Sequence, residues 1–104
     1  MTERQQDVFQ AISDPGRRQM LQLLATGSMT INAMASNFDM SRPAVSKHLK
    51  LLELAGFICI VDKGRERCCT LKEEGFNQLR QWMTFYDQFW AGRLRKLGDL
   101  LETN

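Results

Sequence analysis

Three cysteines and one histidine are the residues best suited to chemistry. Cys59, Cys68 and Cys69 fall in one short segment, and His48 precedes them. A nucleophilic thiol needs a base and an acid around it, and a zinc site needs three or four ligands at short spacing. The sequence contains no Cys–His–acid set, no second ligand at metal spacing from His48 and no phosphate-binding glycine loop. We therefore expect no enzyme, metal site or cofactor, and interpret His48 as a residue that packs or contacts phosphate.

The cysteines also bear on compartment and regulation. An odd number of cysteines, two of them adjacent, does not form a secreted disulfide framework. No signal peptide is evident and no apolar run approaches the length of a membrane span, so a cytoplasmic protein is expected. Adjacent strand residues point to opposite faces, which separates Cys68 from Cys69. Cys59 would face Cys68 if the hairpin turn consisted of Lys63 and Gly64, so packing and thiol oxidation are alternative roles for the cysteines.

Positive charge is concentrated in the middle of the chain. Residues 41–67 hold six basic and three acidic side chains, whereas residues 1–40 hold three basic and four acidic ones. The net charge of +2 is small, so the segregation of charge, more than its total, indicates a polyanionic partner such as nucleic acid. A solvated surface is the alternative interpretation on charge alone.

Two helices are predicted at the start of the chain. A short apolar stripe predicts a helix over 5–13. Asp14 followed by Pro15 is an N-cap and first-turn signal for the next helix, which Gly27 ends.

Two further helices flank a short turn. Thr30 is expected to cap a helix through Phe38, and Ser41 to cap one that reaches about Ala55 and stops at Gly56.

A change of period after residue 56 predicts a hairpin and one long helix. β-Branched and aromatic residues at 57–61 and the segment 66–71 are typical of strands, with Gly64 in the turn between them. No proline interrupts the helical pattern that follows. The fold class is therefore mainly α with a small β-hairpin. We expect a single winged helix-turn-helix domain, 1–104, with a recognition helix at about 41–55, a wing at about 57–71 and a long C-terminal dimerisation helix at about 73–101.

The predicted recognition helix has small and basic residues along its N-terminal edge. Small side chains allow close approach to the major groove of DNA, and Arg or Lys reaches guanine edges or phosphates. Basic residues near the tip of the predicted wing are suited to contact with the DNA backbone. The expected DNA-binding residues are Ser41, Arg42, Pro43, Ala44, Ser46, Lys47, His48 and Lys50 in the helix, and Lys63, Arg65 and Arg67 in the wing.

The last predicted helix has an apolar stripe that a monomer would not need. Large side chains recur along it at three- and four-residue steps, and together they exceed what one small core covers. We therefore expect a homodimer, with an interface formed by Val8, Phe9, Leu79, Trp82, Met83, Tyr86, Phe89, Trp90, Leu94 and Leu97.

Three segments carry a resemblance to a known family: DPGRRQMLQLLATG, MSRPAVSKHLKLLELAGFI and GRERCCTL. From about Phe9 to Leu101 the chain resembles the ArsR/SmtB-type bacterial transcriptional repressors. The resemblance implies a homodimer that binds an inverted-repeat operator in double-stranded DNA and represses nearby genes. It also implies a dimer interface made by the first and last helices.

Many members of that family release DNA on binding metal, and the residues of those sites are missing here. The arsenic-type site uses closely spaced cysteines on the helix before the recognition helix, but residues 30–36 contain none. The zinc-type site uses Asp and His pairs on the last helix, where this chain has Asp87 and Asp99 and no histidine. The resemblance therefore implies a member without a recognisable metal site, whose effector is unknown.

Two alternative functions have different requirements. A winged helix used as a protein-interaction module would present an apolar recognition face, but the residues at 42, 43, 46, 47 and 50 are polar or small. A thiol-responsive repressor would be switched through the wing cysteines. The sequence favours a DNA-binding repressor.

Overall fold

The computed structural model describes residues 7–102. The elements follow in the order α1 (Val8–Ala11), α2 (Pro15–Leu24), β1 (Met29–Thr30), α3 (Ile31–Ala35), α4 (Arg42–Leu54), β2 (Ile58–Lys63), β3 (Glu66–Leu71) and α5 (Glu73–Glu102). The strands form one antiparallel sheet in the order β1-β3-β2. This is the predicted winged helix-turn-helix, with α4 as the recognition helix, β2 and β3 as the wing, and α5 as the long C-terminal helix.

Side-chain caps start three helices where the sequence predicted them. The carboxylate of Asp14 accepts a hydrogen bond from the backbone N–H of Arg17 at 3.0 Å. The hydroxyls of Thr30 and Ser41 accept from N–H groups three residues further on, at 3.0 and 3.2 Å. Each cap satisfies a donor that the first helical turn leaves unpaired, an interaction that stabilises a helix by roughly 1 kcal/mol.

Two helices are shorter than predicted. The helix expected over 5–13 is observed only at Val8–Ala11, and residues 5 and 6 lie outside the described part of the chain. The helix expected to reach Phe38 ends at Ala35. There the backbone N–H groups of Asn37 and Phe38 bond to carbonyls three residues back, at 3.0 and 3.2 Å, so the α-helical turn tightens before the chain leaves it.

A glycine corner joins the recognition helix to the wing. Gly56 has a φ of +87°, and its N–H bonds to the carbonyl of Glu53 at 3.0 Å. The N–H of Phe57 bonds to the carbonyl of Leu52, also at 3.0 Å. These two bonds form a Schellman motif, which needs a left-handed residue and therefore favours glycine. Phe57, predicted to lie in the strand, is instead fully buried in this corner, and β2 begins at Ile58.

The N-terminal end of α5 packs against the same corner. The N–H of Gly75 bonds to the carbonyl of Gly56 at 2.8 Å, and the N–H of Lys72 bonds to that of Phe57 at 2.8 Å. The ring of Phe76 meets the ring of Phe57 edge to face, with centroids 4.8 Å apart. One corner thus fixes the ends of the recognition helix, the wing and the long helix.

The hairpin register differs from the one considered from the sequence. Lys63 pairs with Glu66, so the turn residues are Gly64 and Arg65 and not Lys63 and Gly64. Gly64 has a φ of +66°, as the first central residue of a type II′ hairpin turn requires. The wing also gains a short third strand, because β1 pairs with β3; two residues are too few to give a strand pattern in the sequence.

The core lies between α1–α4, the start of α5 and the inner face of the sheet. Its buried apolar residues come from six of the eight elements and from the corner between α4 and β2. They are Val8, Ala11, Met20, Leu21, Leu24, Ile31, Met34, Val45, Leu49, Leu52, Ala55, Phe57, Ile58 and Cys69. Among residues 7–102, no helix is both long and apolar enough to cross a membrane.

Gly75→Ala is expected to destabilise the protein even though alanine is the better helix former. A Cβ at this position would lie 2.8 Å from Cδ1 of Phe57 and 3.1 Å from the carbonyl oxygen of Ala55. Overpacking costs roughly 1–3 kcal/mol, against a gain in helix propensity of at most about 1 kcal/mol. Urea unfolding should therefore show a net loss of stability.

Gly92→Ala is the matched control in the same helix. A Cβ at Gly92 meets nothing within 4 Å, so the propensity gain of roughly 0.5–1 kcal/mol should appear undiminished. Equal stability changes in the two variants would show that the Gly75–Phe57 contact does not constrain the fold.

Candidate DNA interface

The recognition helix separates a polar outward side from an apolar inward side. Its inward side holds three completely buried residues, Val45, Leu49 and Leu52. Its outward side holds the exposed residues Arg42, Pro43, Lys47 and Lys50, with the exposed cap Ser41 before them and Ala44, Ser46 and His48 half-buried at the edges. Because the inward side is fully packed, the helix cannot rotate about its axis, and the outward side faces solvent in one fixed orientation.

His48 lies at the edge of the outward side that faces α2. Its Nδ1 is 3.0 Å from Nη1 of Arg17. Arginine only donates hydrogen bonds, so Nδ1 is the acceptor and the ring proton sits on Nε2. The contact supports the packing role predicted for His48, and Nε2 is the ring nitrogen that remains for a phosphate.

Arg17 and Arg18 hold the end of α1 by hydrogen bonds that were not predicted from the sequence. Arg17 also donates from Nε to the carbonyl of Ala11 at 2.6 Å and from Nη2 to the carbonyl of Gln10 at 3.3 Å. Arg18 donates from Nη1 to the carbonyl of Ile12 at 2.7 Å. All three carbonyls lie where α1 ends, so the two arginines cap α1, and Arg17 also reaches α4.

A signal for this role was present in the sequence. Cations are unfavourable in the first turn of a helix, yet Arg17 and Arg18 lie within four residues of the Asp14 cap. The nearby Asp14 offsets part of that cost. Hydrogen bonding from the backbone N–H of Arg17, followed by the positive charge of Arg17, holds the pKa of Asp14 below its usual value. Its contribution to stability is therefore present at neutral pH and is lost only as the pH falls through that lowered pKa.

A groove joins the recognition helix to the wing. It encloses about 270 Å³ and is lined by Ile31, Ser46, Lys47, Lys50, Ile60 and Arg67. Its lining combines two isoleucines and a serine with three cations, two from α4 and one from β3. The fold thus brings predicted DNA-binding residues of the recognition helix and of the wing to a single cleft.

Two of the cations in this region are paired with carboxylates. Nζ of Lys50 lies 3.1 Å from Oε1 of Glu53, and Nε of Arg67 lies 3.1 Å from Oδ1 of Asp62. Exposed ion pairs contribute only about 0–1 kcal/mol, so an incoming phosphate can replace either carboxylate. Lys47, Lys63 and Arg65 are exposed and form no ion pair with the described residues.

The register of the wing decides where the three cysteines lie. Cys59 is opposite Thr70 and Cys68 is opposite Val61, so Cys59 and Cys68 share the outer face as diagonal neighbours. The direct Cys59–Cys68 pairing considered from the sequence is not observed, because the turn lies one residue later. Diagonal Cα atoms are roughly 7–8 Å apart, beyond the reach of an unstrained disulfide. Cys69 is fully buried on the inner face, and burial raises the pKa of its thiol to about 11.

The long helix α5 exposes most of the residues predicted to form a dimer interface. Two predicted residues are exceptions, since Val8 is buried and Leu79 is half-buried against the protomer's own core. The other eight, Phe9, Trp82, Met83, Tyr86, Phe89, Trp90, Leu94 and Leu97, are between 38% and 64% exposed. Phe85, Leu100 and Leu101 extend this set, at 67–73%. The rings of Phe9 and Trp82 are 5.2 Å apart, so α1 and α5 contribute to one apolar face.

The described residues contain no group of three or more His, Cys, Asp or Glu side chains placed to hold a metal ion. What the fold presents is a winged helix-turn-helix body with an exposed, basic recognition helix. These features define a DNA-binding transcription regulator.

Comparisons with known proteins agree with this class. The profile of the family described as "Bacterial regulatory protein, arsR family" matches residues 14–59. The chain is 35% identical over 95 residues to the HTH-type transcriptional regulator Rv2034 of Mycobacterium tuberculosis, covering 91% of this chain and 86% of that protein. It is 39% identical over 77 residues to the transcriptional repressor SdpR of Bacillus subtilis, covering 74% and 86%.

Solved structures of similar proteins include regulators with this fold. The crystal structure of the ArsR family transcriptional regulator RHA00566 matches with a TM-score of 0.75 at 36% identity, over 81% of this chain and 92% of that one. A homodimeric winged helix-turn-helix domain from Mycobacterium bovis shares the fold, with a TM-score of 0.62 at 22% identity, over 82% and 80%. The chain belongs to the ArsR family of bacterial transcriptional regulators, and its relatives are regulators and not enzymes.

The burial of Cys69 predicts selective alkylation of the wing cysteines. The thiolate is the reactive form, so at pH 8 iodoacetamide should modify Cys59 and Cys68 in the folded protein and spare Cys69. Cys69 should react only after unfolding. Trypsin releases Cys68 and Cys69 in one peptide, and tandem mass spectrometry then locates the label. Equal labelling of both residues in the folded protein would contradict the assigned register.

Proposed function

We propose that this protein is a homodimeric repressor that binds an inverted-repeat DNA operator. In the proposed complex, the recognition helix enters the major groove by its N-terminal end. Arg42, Ala44, Ser46 and Lys47 face the base edges, and Ser41 and Lys50 meet phosphates. Lys63, Arg65 and Arg67 of the wing contact the flanking backbone.

The observation that carries this proposal is the cleft between α4 and the wing. Lys47 and Lys50 from the helix and Arg67 from the wing border one groove, although they are distant in sequence. A scattered, solvated set of charges would not converge in this way. Phosphate contacts supply most of the affinity of such proteins, and base contacts from an adjacent helix supply specificity.

Dimerisation is supported by the apolar face of α1 and α5. Monomeric proteins rarely expose contiguous apolar patches of this extent. A two-fold dimer built on this face would present two recognition helices, and two-fold symmetry in the protein requires an inverted repeat in the DNA. The homodimeric Mycobacterium bovis domain and the repressor SdpR support this architecture and role.

The protein-interaction alternative finds little support in the geometry. An interaction helix would carry an apolar outward side, but Val45, Leu49 and Leu52 of α4 are fully buried, and its exposed leucine, Leu54, lies at the C-terminal end of the helix. Most of the exposed large apolar residues among those described lie on α5 instead.

The DNA proposal predicts that Arg42→Ala and Lys47→Ala each weaken specific binding by roughly 1–3 kcal/mol without unfolding the protein. Specific duplexes are first selected by the wild-type protein from a random-sequence library. Affinities are then measured by fluorescence anisotropy, with a scrambled duplex as reference. Arg95→Ala, which removes one exposed positive charge from α5, is the control and should bind as the wild type does. Unchanged affinity in both helix variants would show that α4 is not the helix that contacts the bases.

The dimer proposal predicts that Leu94→Glu yields a folded monomer. Leu94 is 64% exposed in the protomer, so a charge there leaves the protomer intact. In a dimer the same charge would be buried without a partner, which should weaken association by roughly tenfold or more. Gln88→Glu adds the same charge at an exposed position about 120° around the helix from Leu94 and serves as the control. Sedimentation velocity distinguishes the species, and a dimeric Leu94→Glu variant would place the interface elsewhere.

A further inference from the structure

The first residue of the recognition helix is held by a neutral partner from the preceding helix. Nε of Arg42 donates a hydrogen bond to Oδ1 of Asn32 in α3. Both side chains are exposed, so the contact lies on the surface proposed to face DNA. We propose that Asn32 is a positioning residue that aims the guanidinium of Arg42 at a guanine. The inference rests on the proposed function, and it makes Asn32 a residue that determines the sequence specificity of DNA binding.

Both ends of the contact are anchored by the fold. Asn32 follows Ile31, which is 2% exposed, and α3 begins at the Thr30 cap. Arg42 follows the Ser41 cap of α4. The backbones of the two residues therefore keep one relative position, and the hydrogen bond restricts the side chain of Arg42 to the conformations that reach Asn32.

The geometry of the guanidinium shows what this restriction achieves. The bond occupies Nε, which leaves the donors of Nη1 and Nη2 at the end of the fork. Guanine accepts two parallel hydrogen bonds from arginine at O6 and N7. An arginine already oriented loses less conformational freedom on binding, so its preference for guanine over other bases increases.

The chemistry of the partner also suits this role. Lys50 and Arg67 are paired with carboxylates, which must be displaced before those cations meet DNA. Asn32 orients Arg42 without neutralising its charge. It is therefore a support that stays in place while the arginine binds.

The test uses the full-length protein and duplexes selected by the wild type from a random-sequence library. Affinities are measured for the selected duplex and for every single-base-pair variant of it. Arg42→Ala should abolish the preference at one guanine, a change of roughly 5- to 150-fold. Asn32→Ala should reduce the preference at that same base pair, by about threefold or more, and leave the other positions unchanged. In the double variant, Asn32→Ala should add nothing to the effect of Arg42→Ala.

The variant Asn32→Asp tests whether the acceptor oxygen of residue 32 is what orients Arg42. Aspartate keeps the acceptor oxygen, so the preference for guanine should persist, while the added negative charge lowers affinity for all duplexes alike. Asn77→Ala, an exposed asparagine on α5, is the control and should leave the base profile unchanged.

Three outcomes would overturn the inference. If Asn32→Ala has the same base preferences as the wild type while Arg42→Ala loses its guanine preference, Asn32 does not position Arg42. A change at a different base pair that persists in the double variant would show that Asn32 reads DNA directly. Failure of the wild type to select any sequence would overturn the proposed function itself and this inference with it.

Discussion

The Gly56–Phe57 corner is the constraint on which the rest of the structure depends. The left-handed glycine ends α4, and the buried ring of Phe57 directs the chain into the wing. The close approach of Gly75 then places α5 against that ring. A few backbone hydrogen bonds and one aromatic ring therefore position the recognition helix, the wing and the long helix α5 relative to one another. Loss of this packing would disturb all three surfaces at once.

Arg17 provides a second link, at the other side of the recognition helix. Its guanidinium joins the end of α1 to His48 on α4, and α1 in turn contacts α5 through Phe9 and Trp82. The recognition helix is thus tied to the long helix on two sides, by the glycine corner and by this polar bridge. These two links connect the recognition helix to the face proposed for dimerisation.

Local chemistry was predictable from the sequence. The caps at Asp14, Thr30 and Ser41 depend on a few neighbouring residues, and all three form as expected. The inward side of α4 follows from its helical spacing in the same way. The class of regulator was also accessible, because the order of elements and the motifs of the recognition helix lie in contiguous stretches of chain.

Features that depend on contacts between distant residues were not predictable. The hairpin register depends on which two residues form the turn, and a shift of one residue moves Cys59 from Cys68 to Thr70. Arg17 has its partners on α1 and α4, and Asn32 meets an arginine of the next helix. Val8 was assigned to the dimer interface because periodicity does not distinguish a protomer's own core from a contact between protomers.

In the proposed DNA complex, the ion pairs of Lys50 with Glu53 and of Arg67 with Asp62 have a thermodynamic consequence. Binding weakens with added salt because phosphates release condensed counterions, and the logarithm of the affinity falls by about 0.9 per phosphate neutralised for each unit in the logarithm of salt concentration. When a phosphate displaces Glu53 or Asp62, the liberated carboxylate takes up a cation from solution. That uptake offsets part of the release. The slope of log affinity against log salt concentration is therefore shallower than the number of contacting lysines and arginines would give. The protein then retains more of its affinity as ionic strength rises.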